Sequence, residues 1–195
     1  MVNMYYQSPS HIAKEATKRI PFVGPCATMF GCLYVKRDNK DSKSDMYTQI
    51  TKRQEQIEQG LYPPLIIYAE GGTSNGRQLL QFKKGGFFSL KAVRPQIIKY
   101  DHCSMDIENS IMKIQAISSF FSLCHYSRKN QVHVYKMPVF EPNAYFFEHH
   151  QRKDEEKWQT YARVIRDIMA DVGGLELSDL TIEDKFEYKK LLYSC

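Results

Sequence analysis

The run Glu70-Gly71-Gly72-Thr73-Ser74-Asn75-Gly76-Arg77 gathers a carboxylate, two hydroxyls, three glycines and a guanidinium into one short segment. Adjacent glycines let the backbone turn tightly and approach a ligand closely. Thr73, Ser74 and the surrounding N–H groups can donate to phosphate oxygens in the manner of an anion-binding nest. Glu70 could accept from a substrate hydroxyl or from a neighbouring arginine. No Gly-Lys-Ser/Thr ending follows, so the run is not a P-loop. A plain strand-turn with polar filler explains the same residues equally well. Lys36-Arg37 is a second candidate, because a guanidinium forks onto a phosphate. The dipeptide by itself fits a solvated basic loop better. Phe82-Lys83-Lys84-Gly85-Gly86-Phe87 sets two cations and two aromatics around a flexible step. It could bind an anionic head group, though the default places each Phe in the core and each Lys at the surface.

These residues need elements to position them. Short apolar, β-branched or aromatic runs read as strands at residues 31–35, 65–68, 96–100 and 132–135. The first three are nearly continuous, which suits strands covered on both faces, whereas the fourth alternates more and suits an edge. Helical spacing marks 44–59, with Met46, Ile50 and Ile57 as its stripe and Gly60 as its stop. It also marks 111–124, and a stretch from Trp158 to Val172 stopped by Gly173-Gly174. A last helix over 181–192 is capped by Thr181, with Asp184 three residues on as in a capping box. Strands alternating with helices predict an α/β fold with a mainly parallel sheet flanked by helices. Ligands gather at the carboxyl ends of such strands, so Arg37 and Glu70 are expected at the same sheet edge.

A chain of 195 residues suits one domain, 1–195, with a core over 8–142 and a helical extension over 155–193. The net charge of +5 fits an anionic partner such as a phosphate or a lipid surface. No apolar run approaches the about 18 residues of a spanning helix, and Met1 to Ser10 shows no signal-peptide pattern. The five cysteines, Cys26, Cys32, Cys103, Cys124 and Cys195, are scattered without Cys-x-x-Cys spacing. That argues against a disulfide framework and a zinc site. Basic residues are dispersed and no nucleic-acid module is present, so nucleic acid is not an expected partner.

The Glu70–Arg77 run followed by Phe82–Phe87 resembles the E-G-T-x-S-x-G-R … F-K-x-G-A-F signature of the PlsC-type glycerolipid acyltransferases. Gly31-Cys32-Leu33-Tyr34-Val35-Lys36-Arg37 is similar to that family's second block, and Val93-Arg94-Pro95 sits at its apolar-x-Pro step. Ser8-Pro9-Ser10 through Gly24, Met137 to Pro142, and Leu177 to Lys185 resemble the lysophosphatidylcholine and lysophosphatidylethanolamine branch. The resemblance implies that Arg37, Glu70, Gly71, Thr73, Ser74 and Arg77 contact the phosphate and acceptor. It implies acyl-CoA as co-substrate if the chain is active, and no metal or other cofactor. Gly72 departs from the pattern, where the family usually has another residue.

The family's His-x-x-x-x-Asp block, whose His takes the acceptor's proton, should stand about ten residues ahead of Ser8. Met1 to Gln7 contains neither residue, so the chain is expected to begin just inside that block, N-terminally truncated. His11 does not substitute, since Ala16 stands five residues on. The one literal match, His149 to Asp154, falls in a charged stretch read as a solvated loop. No residue of the chain is therefore assigned to catalysis. The favoured reading is a non-catalytic, lipid-binding or structural subunit of a membrane-associated assembly. Its partners are other protein subunits, a phospholipid or lysophospholipid, and an intracellular membrane surface, that of the endoplasmic reticulum or mitochondrion. The alternative is an active lysophospholipid acyltransferase whose His-Asp pair comes from another chain or from residues ahead of these. The surfaces expected to meet a membrane or partner are 82–88, with Lys83 and Lys84, and Tyr145-Phe146-Phe147.

Overall fold

The computed structural model describes residues 9–35, 41–72, 74, 76, 78–102 and 130–193. The chain forms two compact units, Met1–Ala69 and Glu70–Cys195.

In the first unit β1 (Ser10–Lys14) is the centre of a three-stranded parallel sheet, with β2 (Leu33–Val35) and β3 (Leu65–Ile66) on either side. The register pairs Ile12 with Leu33 and Ser10 with Leu65. Ser10 is completely buried, and its backbone N–H donates to the Pro64 carbonyl at 2.9 Å. A 3-10 turn (Glu15–Arg19) leads into α1 (Val23–Met29). Gly24 joins them, because a Cβ there would lie 2.2 Å from the Lys18 carbonyl oxygen. α2 (Asp41–Glu58) buries Ile50 beside the half-buried Met46 and Ile57, which is the expected stripe. Gly60 ends the segment with φ at 75°.

The second unit holds β4 (Gln78–Leu79) paired in parallel with β7 (Glu176–Leu177), and an antiparallel ribbon of β5 (Gln96–His102) and β6 (Asn130–Lys136). Its helices are α3 (Ala144–His150), α4 (Lys157–Gly173) and α5 (Ile182–Tyr193). Asn143 caps α3 by accepting from the Phe146 N–H at 2.8 Å. α4 is the element that periodicity marks most strongly. It buries Tyr161, Ala162, Ile165 and Ala170 and ends at Gly174 in the left-handed region. Gly173 lets it approach β5, since a Cβ there would sit 2.9 Å from Ile97 Cδ1. Around Tyr161 the rings of Phe87, Phe140 and Phe146 gather, the first at 5.3 Å and edge-on, with Phe82 stacked on Phe87 at 5.8 Å. The Tyr161 hydroxyl lies 3.1 Å from the carbonyl oxygens of both Lys91 and Phe140, and burial pushes its pKa well up.

The architecture is therefore mixed helices with small, partly parallel sheets: β1–β2, β1–β3 and β4–β7 pair in parallel, and one pairing differs. The runs at 96–100 and 132–135 pair with each other, antiparallel, from Gln96 against Lys136 to His102 against Asn130. Ile97 is buried while its neighbour Ile98 is half exposed, the signature of a ribbon with one solvated face. The expected helix over 111–124 lies outside the described residues.

Candidate functional site

The Glu70 loop opens the second unit, and each of its described residues is held by a specific neighbour. Glu70 Oε1 accepts from the Leu80 backbone N–H at 3.0 Å, which fastens the start of the loop to the end of β4. One oxygen of the Glu70 carboxylate is thus taken by a backbone amide. An arginine does stand close behind it. Arg166, on α4, donates to the carbonyls of Leu80 at 2.8 Å and Leu79 at 2.7 Å, and also to that of Ser178. Burial pulls its pKa below the usual arginine value, while Asp167, Asp179 and Glu70 act in the opposite sense. One guanidinium thus ties both strands of the β4–β7 pair to α4.

Gly71 has φ at 79°, a backbone region that glycine enters without penalty. A Cβ on it would also lie 3.0 Å from Lys83 Cγ. Gly72 packs still more tightly, because a Cβ there would come within 2.7 Å of Cδ1 of Ile182, which is itself buried. The departure of Gly72 from the family pattern thus has a steric counterpart in α5. Beyond it Ser74 Oγ accepts from the Gly76 N–H at 3.4 Å, closing the polar turn. Arg37, Thr73 and Arg77 lie outside the described residues. Among the expected contacts, Glu70, Gly71 and Ser74 fall on one loop.

Lys83 pairs with Glu183 of α5, and this hydrogen bond holds the Glu183 carboxyl below the usual carboxylate range. The start of α5 is capped as its sequence suggests. Asp184 Oδ2 accepts from the Thr181 N–H at 2.6 Å and from its hydroxyl at 2.8 Å. Lys84 lies over the rings of Phe88 and Trp158, at 5.0 and 5.4 Å, with Glu156 3.7 Å away. Phe82 and Phe87 are buried, as the default has it, while Phe88 is 45% exposed. The other expected contact surface also changes character. Tyr145-Phe146-Phe147 forms part of α3, with Phe146 in the aromatic core and Tyr145 66% exposed.

His149 is the last-but-one residue of α3 rather than part of a loop. Its Nδ1 lies 2.8 Å from the Tyr145 carbonyl, and its ring packs on the Tyr145 ring with centroids 3.9 Å apart. Asp154 is exposed in the following turn, and no ion pair joins it to His149 among the described residues. The nearby Glu155 instead binds Arg163 Nε at 2.8 Å and accepts from Thr160 at 3.0 Å, which lowers its pKa to about 2. Among the described residues no group of three or more His, Cys, Asp or Glu side chains could hold a metal ion.

The Acyltransferase family profile matches residues 1–100, and the chain belongs to that family. It is 32% identical over 195 residues to the lysophospholipid acyltransferase LPEAT1 of Arabidopsis thaliana, covering 97% of this chain and 46% of that protein. It is 27% identical to lysophosphatidylcholine acyltransferase of Drosophila melanogaster, over 90% of this chain and 31% of the relative. Human lysophosphatidylcholine acyltransferase 1 gives 27% identity, again over 90% of this chain and 31% of its own length. The chain spans less than half the length of these relatives. No solved structure matches it.

Proposed function

We propose that these residues form the acceptor-binding part of a lysophospholipid acyltransferase-like domain, a part that binds lysophospholipid and turns over none by itself. The phosphate and acceptor contacts are assigned to Arg37, Glu70, Gly71, Thr73, Ser74 and Arg77. The observation that carries the second half is the environment of His149. The one His-x-x-x-x-Asp pair in the sequence has its imidazole packed, tilted, against Tyr145 and bonded through Nδ1 to a helix carbonyl. In the family's arrangement that nitrogen belongs to the orienting carboxylate. The domain then serves as a lipid-binding or structural subunit of a membrane-associated assembly. A second reading, favoured by the identity to LPEAT1 along nearly the whole chain, is an active enzyme with acyl-CoA as donor. Its His-Asp pair then comes from another chain or from residues ahead of these.

Calorimetric titration with lysophosphatidylethanolamine below its micellar concentration tests the binding half. Binding that weakens about tenfold in Arg77→Ala supports it, since a bidentate charged contact is worth about 1.5–3 kcal/mol. Binding that is absent, or that Arg77→Ala leaves unchanged, contradicts the site assignment.

A further inference from the structure

In the first unit, exposed apolar side chains gather in one short stretch. Phe22 is 87% exposed, Met29 77%, Ile20 48% and Phe30 46%. Phe22 and Phe30 flank α1 at its two ends, and Met29 is its last residue. Phe22 and Phe30, with Cys26 between them and Ala13 of β1, line an open, mostly apolar cavity of about 710 Å³. Soluble proteins seldom leave such side chains together in water unless something covers them.

The backbone under this face is fixed. Phe22 holds φ at 63°, a costly conformation for a bulky residue, and it directs the chain from the 3-10 turn into α1. Gly24 lies directly on the Lys18 backbone and donates its N–H to the Ile20 carbonyl at 2.9 Å. The turn carrying Lys18 and Arg19 is thereby locked beside the apolar face. Both cations are exposed, and the Lys18 ammonium lies 4.6 Å from the centre of the Tyr34 ring. From Ala16 to Arg37 the sequence contains no Asp or Glu. A purely apolar partner would leave the two cations and the missing carboxylates unexplained. An anionic lipid surface accounts for both, because aromatic and aliphatic side chains enter the headgroup boundary while cations meet the phosphates.

We propose that the face formed by Ile20, Phe22, Met29 and Phe30, with Lys18 and Arg19 at its edge, docks the chain on an anionic phospholipid bilayer. This deepens the membrane reading above and rests on it for the presence of a bilayer. It is independent of acceptor binding and of acyl transfer, which are measured separately.

The test is co-sedimentation of the purified full chain with vesicles of phosphatidylcholine, with and without phosphatidylserine, at low and high salt. The chain should sediment with the anionic vesicles, less with neutral ones, and less as salt rises. Phe22→Ser with Met29→Ser should reduce partitioning at least about tenfold, given the apolar area withdrawn from the bilayer. Lys18→Gln with Arg19→Gln should reduce it only on anionic vesicles, by about fivefold per charge. Leu180→Ser, at an exposed apolar position of the second unit, should change nothing. If the serine pair perturbs folding, the charge pair, which leaves the apolar face intact, decides. A chain that stays in the supernatant with anionic vesicles overturns the proposal. So does binding that resists both pairs, or binding lost equally in Leu180→Ser.

Discussion

Gly72 shows how one residue can tie a binding loop to a distant helix. Its missing side chain leaves room for Ile182, 2.7 Å from where a Cβ would stand. Gly72→Ala should therefore destabilise the protein by about 1–3 kcal/mol, the usual cost of overpacking. In an Ile182→Ala background, which removes the colliding atoms, the same substitution should cost little more, and thermal melting of the four proteins measures that coupling. Composition alone showed a loop equipped for chemistry, although a plain strand-turn with polar filler explained it equally well. It could not show that Glu70 spends an oxygen on Leu80 or that Arg166 stands behind it. Arg166 comes 96 positions after Glu70, and only the packing of α4 brings them close. The one local hint was an arginine between Ile165 and Ile168 on an apolar helix face.

At the scale of elements, legibility followed periodicity. α4 was plain because its apolar residues recur at 3.6 and a glycine pair ends it. β1 was missed, although it is the central strand of its sheet. Its sequence, Ser-His-Ile-Ala-Lys, has neither the alternation nor the β-branched content that marks a strand, and tertiary pairing on both sides overrides that weakness. α3 was missed because three adjacent aromatics hide a helical period, while its Asn143 cap was there to be read. Asn143→Ala should cost about 1 kcal/mol, visible as a lower melting temperature. Between α3 and α4, the Glu155–Arg163 pair makes a pH prediction. The Arg163 hydrogen bond is the main cause that lowers the Glu155 carboxyl from its ordinary 4.5 to about 2 in the folded chain. A carboxylate depressed by folding contributes its full stabilisation above about pH 4.5 and loses it as pH falls toward 2. Melting temperature should therefore drop across that interval. Glu155→Gln should lower stability at neutral pH and flatten this acid limb, and a variant as steep as the parent would contradict the assignment.

For the molecule as a whole, the family is legible from blocks lying between Gly31 and Pro95, all within the matched residues 1–100. The antiparallel pairing of β5 with β6 was not, because strand direction is set by how distant segments meet and leaves little trace in apolar runs. β5 and β6 read as buried or edge strands from their own residues, yet they form a ribbon with each other. No helix among the described residues is long and apolar enough to cross a membrane. Membrane association is therefore argued from the face at Phe22 and Met29 rather than from the aromatic segments that the sequence brought forward. The central claim is that these residues bind the acceptor without supplying the base that activates it. It is tested most directly by incubating the purified chain with acyl-CoA and lysophosphatidylethanolamine and following release of the free CoA thiol. The account predicts release at the rate of the protein-free control, since a general base contributes about a hundred- to ten-thousand-fold. Sustained release that His149→Ala abolishes would contradict it.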